Sequence, residues 1–325
     1  MKAVWRRSLA LLLTALSVAP AGWAQGAYPN RPVKVIVGYV PGGGPDVAAR
    51  ILAKPLTEIL KQPFVVENRP GAGATTATAF VAKSAPDGYT LLLGETGQLV
   101  IAPFIYKQVG YDPEKDLTPI SLFRHAPLLL VANPKFPAKT IQELIREAKA
   151  NPGKFDVGSS GIGSLHHIAI EAFKAGAGVD IKHVPYKGSG QSLTAAIAGE
   201  VPLLVTSLTA ALPQINAGKL NLLAVTTAER IPPFPNVPSI SEFVKDYDFA
   251  SESGLLGPAG LPQDVVARLS AGVKQAVSGS DMREEAKNSQ TILNFSTPEE
   301  YAENIRRNLR RYERAIKAGK ITSAD

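Results

Sequence analysis

Apolar residues along this chain fall into short runs rich in β-branched side chains, separated by longer stretches of helical periodicity. Residues 33–37, 64–66, 90–93, 128–131, 203–206 and 222–226 read as buried strands. Between them, residues 47–60, 141–150, 164–175 and 192–198 place apolar positions at helical spacing, and residues 263–277 and 298–318 form a helical C-terminal end. Strands alternating with helices predict an α/β fold with largely parallel sheets. In such sheets ligands sit outside the carboxyl ends of strands, where loops enter helices.

Three of those loops are rich in glycine. Gly38-Tyr39-Val40-Pro41-Gly42-Gly43-Gly44-Pro45-Asp46 runs from the first strand straight into the first helix. Gly44 is the expected cap, Pro45 suits a first helical position, and Asp46 complements the positive end of the helix dipole. Uncovered N–H groups at such a helix start make an anion site. Ser159-Ser160-Gly161-Ile162-Gly163-Ser164 repeats the arrangement far along the chain, with Ser164 as N-cap and Ser159 and Ser160 as further hydroxyls. Gly71-Ala72-Gly73-Ala74-Thr75-Thr76 follows the second strand and opens another helix. Two such loops facing one cleft would hold an anion from both sides.

The N-terminus changes the picture of where the chain works. Lys2, Arg6 and Arg7 precede an apolar run of about a dozen residues, Pro20 ends it, and Gly22 and Ala24 stand where a peptidase requires small side chains. Residues 1–24 therefore read as a cleavable signal peptide, not an uncleaved anchor. The run is well short of the roughly 20 residues that span a bilayer, and no later segment is longer. A mature chain of about 300 residues suggests two domains. With no cysteine, an exported chain must hold together by packing, and thiolate chemistry is excluded. The formal charge of +7 falls to about +4 without the signal, a mild excess. Arg306, Arg307, Arg310, Arg311 and Arg314 are interleaved with Glu303 and Glu313 and read as a solvated helix face, not a nucleic-acid surface.

Enzyme motifs are absent. Gly161-Ile162-Gly163 lacks the third glycine of a dinucleotide fingerprint, no loop carries a Walker lysine, and no serine sits in a Gly-x-Ser-x-Gly elbow. His166 and His167 are adjacent, so on a helix they diverge by about 100° and do not chelate one metal together. The acids show no close inward-facing pair and read as surface groups. No catalytic residue, cofactor or metal is expected.

Ordered matches along nearly the whole mature chain carry a resemblance. They include Tyr28-Pro29-Asn30-Arg31-Pro32, Pro41-Gly42-Gly43 with Asp46 and Arg50, Glu67-Asn68-Arg69-Pro70-Gly71-Ala72-Gly73 and Pro86-Asp87-Gly88-Tyr89-Thr90. Ser160-Gly161-Ile162-Gly163-Ser164 with His167, His183-Val184-Pro185-Tyr186-Lys187-Gly188, Ala217-Gly218-Lys219-Leu220 and Gly257-Pro258-Ala259-Gly260 continue the series. The chain resembles the periplasmic solute-binding receptors of tripartite tricarboxylate transporters, the Bug proteins. That resemblance implies a two-domain periplasmic-binding-protein fold of the Venus-flytrap type (type II), closing on a small organic carboxylate, a di- or tricarboxylate or an aromatic acid.

By position it implies a first domain of residues 25–125 plus 247–325 and a second of 126–246, with crossings near residues 125–128 and 247–254. The implied ligand contacts are Tyr39, Gly43, Gly44 and Asp46 from the first loop, Thr75 and Thr76 from the third, and Thr96 after the strand at 90–93. Ser159, Gly163, Ser164 and His167 come from the second domain. Thr206 stands where the family commonly has an acid, which implies a ligand without an ammonium group. The implied partners are the ligand and the membrane subunits of a transporter, with no nucleic acid, and the implied state is a periplasmic monomer. A ligand sensor acting on a periplasmic kinase domain would need the same pocket.

Overall fold

The computed structural model describes residues 28–288 and 290–322. The expected signal peptide, residues 1–24, lies outside them. Strand–helix units follow one another as anticipated: β1 (Val33–Val37), α1 (Gly44–Leu60), β2 (Phe64–Asn68), α2 (Thr75–Ala82), β3 (Thr90–Glu95) and α3 (Ala102–Ile105). Strand β4 (Leu117–Ala132) leads to α4 (Ile141–Ala150), β5 (Asp156–Ser159), α5 (Leu165–Ala177), β6 (Lys182–Pro185) and α6 (Ser189–Ala198). Then come β7 (Leu203–Ser207), α7 (Leu208–Asn216), β8 (Asn221–Val225), β9 (Ala250–Pro258), α8 (Gln263–Val277), α9 (Ser280–Asn288), β10 (Ile292–Leu293) and α10 (Pro298–Ala318).

The strands run in the order β2-β1-β3-β9-β4-β7-β5-β6, with β8 and β10 also pairing with β4. β1 pairs in parallel with β2 and β3, and β5 with β6 and β7. The centre differs from the largely parallel sheet expected, because β9 and β4 run antiparallel to their neighbours. β4 is 16 residues long, not the short run at 128–131 expected from its apolar content. Its first part pairs with β9, and from Leu128 onward it pairs with β7 and β8. One continuous strand therefore belongs to both halves of the sheet, with register shifts near Pro119 and Leu122 that increase its local twist.

Period-two alternation sorts the cores. Val33, Val35 and Val37 meet Leu52 and Leu56 of α1 and Leu269 and Val273 of α8. In the other half, Leu129, Val131 and Leu204 meet Ala195, Leu208 and Ala211 of α6 and α7. Full burial of each large aliphatic contributes about 1.5–3 kcal/mol. Helix α10 closes the molecule. Thr297 and Glu300 form its capping box, Pro298 occupies the first turn, and Tyr301, Ile305, Leu309, Tyr312 and Ile316 recur on one buried stripe. Its arginines are not all solvated: Arg311 is largely buried and pairs with Asp248 at 2.9 Å, because Tyr312 beside it packs into the core. No helix among the described residues is long and apolar enough to cross a membrane.

Candidate functional site

The carboxyl ends of β1, β3, β5 and β7 open on one cavity of about 620 Å³. Gly42, Gly44 and Pro45 of the first loop and Val47, Ala48 and Ile51 of α1 form one wall. Ser160, Leu165 and His166 form the facing wall, joined by Ser207 and Thr209 at the start of α7. Three helix starts thus meet at one space. Gly43 is the N-cap of α1, one residue earlier than expected, in extended conformation and with no side chain to cover the orphan donors. Ser164 caps α5, accepting from the His167 N–H at 3.2 Å and donating to the Gly161 carbonyl at 2.7 Å. Ser207 caps α7, accepting from Ala210. The first-turn N–H groups of each helix have no intrahelical acceptor, and the dipoles point positive ends at the cavity.

Several residues named from sequence support the loops and do not line the cavity. Asp46 is buried and accepts from Gly42 N–H, Arg50 and Asn68 at 2.9, 3.0 and 2.8 Å. The Arg50 guanidinium beside it holds its carboxyl down at about 2. Tyr39 is half-buried, and its carbonyl accepts from Asn68. Thr75 is buried and donates to Ala72, whereas Thr76 is exposed; neither lines the cavity. Thr96 is buried, donates to the Ala250 carbonyl and accepts from Glu252 N–H, tying β3 to β9. Ser159 is buried, accepts from Gly161 N–H at 3.1 Å and lies 2.6 Å from His183 Nε2.

Of the two adjacent histidines, the one at the cavity is not His167, the implied contact. His166 lines the cavity, its Nδ1 2.5 Å from Ser160 Oγ. His167 turns inward, accepts from Gly163 N–H at Nδ1 and lies flat on His183. Burial lowers both His166 and His167 to about 4, so both are neutral at physiological pH. Thr206 is fully buried, and Ser207, the next residue, reaches the cavity instead. Alternation places Thr206 on the Leu204 face, away from the opening.

Strands β4 and β9, with the end of β3, supply groups that the sequence reading missed. Arg124, Ala126 and Leu128 of β4 and Ser251 of β9 line the cavity with Glu95 at the end of β3. Ser253 donates to Glu95 at 2.6 Å and accepts from Arg124 at 3.3 Å. Burial pushes the Glu95 carboxyl up to about 7. On the opposite face of the same strands, Glu252 is held by Asn304, Asn308 and His125. Glu95 is buried and Glu252 half-buried, contrary to the reading of the acids as surface groups.

The model of the tripartite tricarboxylate transporter family receptor matches residues 48–321. The chain belongs to this receptor family. BugT of Bordetella pertussis is 35% identical over 277 residues, which cover 82% of this chain and 84% of BugT. A solute-binding protein from Polaromonas, solved without ligand, superposes with a TM-score of 0.82 at 28% identity, covering 89% of this chain and 99% of that one. A Rhodopseudomonas palustris protein solved with adipate reaches 0.73 at 33% identity, covering 91% and 99%. The fold is accordingly the two-domain α/β fold of periplasmic binding proteins, and this receptor, like its family, is not an enzyme.

Within the receptor, the start of α7 had a readable signal. Ser207 is an N-cap type directly after an apolar strand, but Pro213 inside α7 breaks the helical pattern that would have flagged it. Glu95, an acid closing an otherwise apolar strand, was equally visible. Arg124 was not, since only the 128–131 end of the strand carrying it was detected.

Proposed function

We propose that this chain is a periplasmic receptor that captures a small organic carboxylate between two domains and presents it to the membrane subunits of a tripartite tricarboxylate transporter. The observation that carries this reading is the meeting of three helix starts, α1, α5 and α7, around one cavity of about 620 Å³. Backbone donors and dipoles take the carboxylate there, at Gly43 and Gly44 and at the first turns of α5 and α7, with Ser160 and Ser207 as hydroxyl helpers. Asp46, Thr96, Ser159, Ser164 and His167 keep those loops in place. The division into residues 25–125 plus 247–325 and 126–246 agrees with the course of β4 and β9, which carry the chain between the two halves. Residues 1–24 direct export and are then removed.

The test is a thermal-shift panel of mono-, di- and tricarboxylates, aromatic acids and amino acids on the mature chain. A ligand at a hundred times its Kd adds about 2.7 kcal/mol of apparent stability, a clear rise in melting temperature. If no carboxylate shifts the transition while a sugar or a cationic ligand does, this reading is wrong.

A further inference from the structure

Arg124 sits on the first crossing strand, its side chain lining the cavity. One guanidinium N–H reaches Ser253, and no carboxylate lies within 4.0 Å of the group among the described residues. A guanidinium has five donors, so most of this one remains to be satisfied. The same cavity wall carries Ile51, Phe123, Leu128, Met282 and Leu293, with Glu285 and Thr291 among them. An arginine in such surroundings, paired with no carboxylate and linked to Glu95 only through Ser253, is a receiver for an anion brought from outside.

The geometry points to Arg124 as a second anion contact, which takes another acidic group of the ligand whose first carboxylate rests on the helix starts. This rests on the receptor reading above and makes Arg124 the residue that sets preference for doubly anionic ligands with an apolar body. Glu95 modulates the contact through Ser253. Charged, it offsets the Arg124 cation; protonated, it leaves that cation to the ligand. The groups facing Glu95 are Tyr39 from the loop before α1, Arg124 from β4, Ser251, Glu252 and Ser253 from β9, and Tyr301 from α10. The hydroxyls and Arg124 favour its charged form, whereas burial and Glu252 oppose it. A bound anion beside it opposes the charged form further, so binding a diacid takes up a proton near neutral pH, and affinity falls as pH rises.

Calorimetry on the mature chain tests this with adipate beside hexanoate and terephthalate beside benzoate, at about pH 6 and about pH 8. Wild type, Arg124→Gln, Arg124→Lys, Glu95→Gln and the exposed control Arg310→Gln are compared after their melting is checked. Wild type should favour each diacid that binds over its matched monoacid by tenfold or more. Arg124→Gln should erase that preference by weakening the diacid about ten- to a hundredfold while sparing the monoacid. Arg124→Lys should restore part of it, and Arg310→Gln should change nothing. Glu95→Gln should bind the diacid with little dependence on pH. Equal binding of diacid and monoacid by wild type, a comparison that needs no variant, overturns the proposal while leaving the receptor reading intact; so does an unchanged preference in Arg124→Gln. Failure of wild type to bind any carboxylate overturns both.

Discussion

The imidazole of His167 lies flat on that of His183, with ring centroids 3.8 Å apart and planes 11° from parallel. Ser159 holds one end of this stack at His183 Nε2, and Gly163 N–H holds the other at His167 Nδ1. The pair thus joins β6 to both ends of the loop that enters α5, and it suits only neutral rings, since two stacked cations would repel.

A pH dependence of stability follows. Burial lowers His166, His167 and His183 to about 4 in the folded protein, below the ordinary value of about 6.5. Between those values the unfolded chain binds more protons than the folded one. The stability is therefore complete above about pH 6.5 and declines as pH falls towards 4. Melting temperature should drop across that window, and His183→Phe, which keeps the stacking surface, should flatten the drop. An unchanged slope in His183→Phe would assign the acid sensitivity elsewhere.

Gly44 offers a clean way to block the site. A Cβ built there meets nothing within 4 Å, whereas at Gly163 φ is +73° and the Cβ would lie 3.3 Å from Ile105. Gly44→Val should melt close to wild type, within about 1 kcal/mol for a β-branched residue in a first helical turn, while losing ligand affinity by tenfold or more. Gly163→Val should lose both stability and binding. Normal ligand affinity in a folded Gly44→Val protein would place the anion away from α1.

Asp46 is a structural anchor for the glycine loop. Asp46→Ala removes three hydrogen bonds, two to uncharged donors and one to Arg50, and should lower stability by about 2–3 kcal/mol in denaturant titration. Its carboxyl is held down at about 2, so the stability it contributes is full above about pH 4 and is lost as pH falls towards 2. Asp46→Ala should lack that acid-range decline.

Thr206 carries a buried hydroxyl with no hydrogen-bond partner among the described residues. Thr206→Val, similar in shape, should therefore be neutral or more stable by about 1 kcal/mol and should leave ligand affinity unchanged. A large loss of affinity would show that the side chain reaches the ligand.

The glycine loops and the strand–helix alternation were legible because both are local: a β-rich run, then glycines, then a capped helix. What escaped the sequence depends on side-chain direction. Thr206 and Ser207 are adjacent, and one step along a strand exchanges one face for the other, which only pairing with β4 settles. His166 and His167 diverge on their helix, and His183, remote in sequence, decides which is buried. The part of β4 before Leu128 was hidden because Pro119, Pro127 and the pair Arg124-His125 interrupt its apolar pattern. Proline normally demotes a strand, but Pro119 sits at a register shift, where ladder hydrogen bonding is already irregular.

The return of the chain through β9 has a consequence for how the protein is made. β9 lies between β3 and β4, and α8 and α10 complete the cores beside strands that precede them by more than a hundred residues. Until α8 arrives, the cluster of Val33, Val35, Leu91 and Leu93 lacks Leu269 and Val273, and until α10 arrives Tyr301 and Tyr312 have not yet covered β4 and α5. The N-terminal half is therefore not an autonomous folding unit. Contacts so distant in the chain slow the search for the native state and prolong exposure of apolar strands, so a chain truncated before residue 298 should remain a target for envelope proteases.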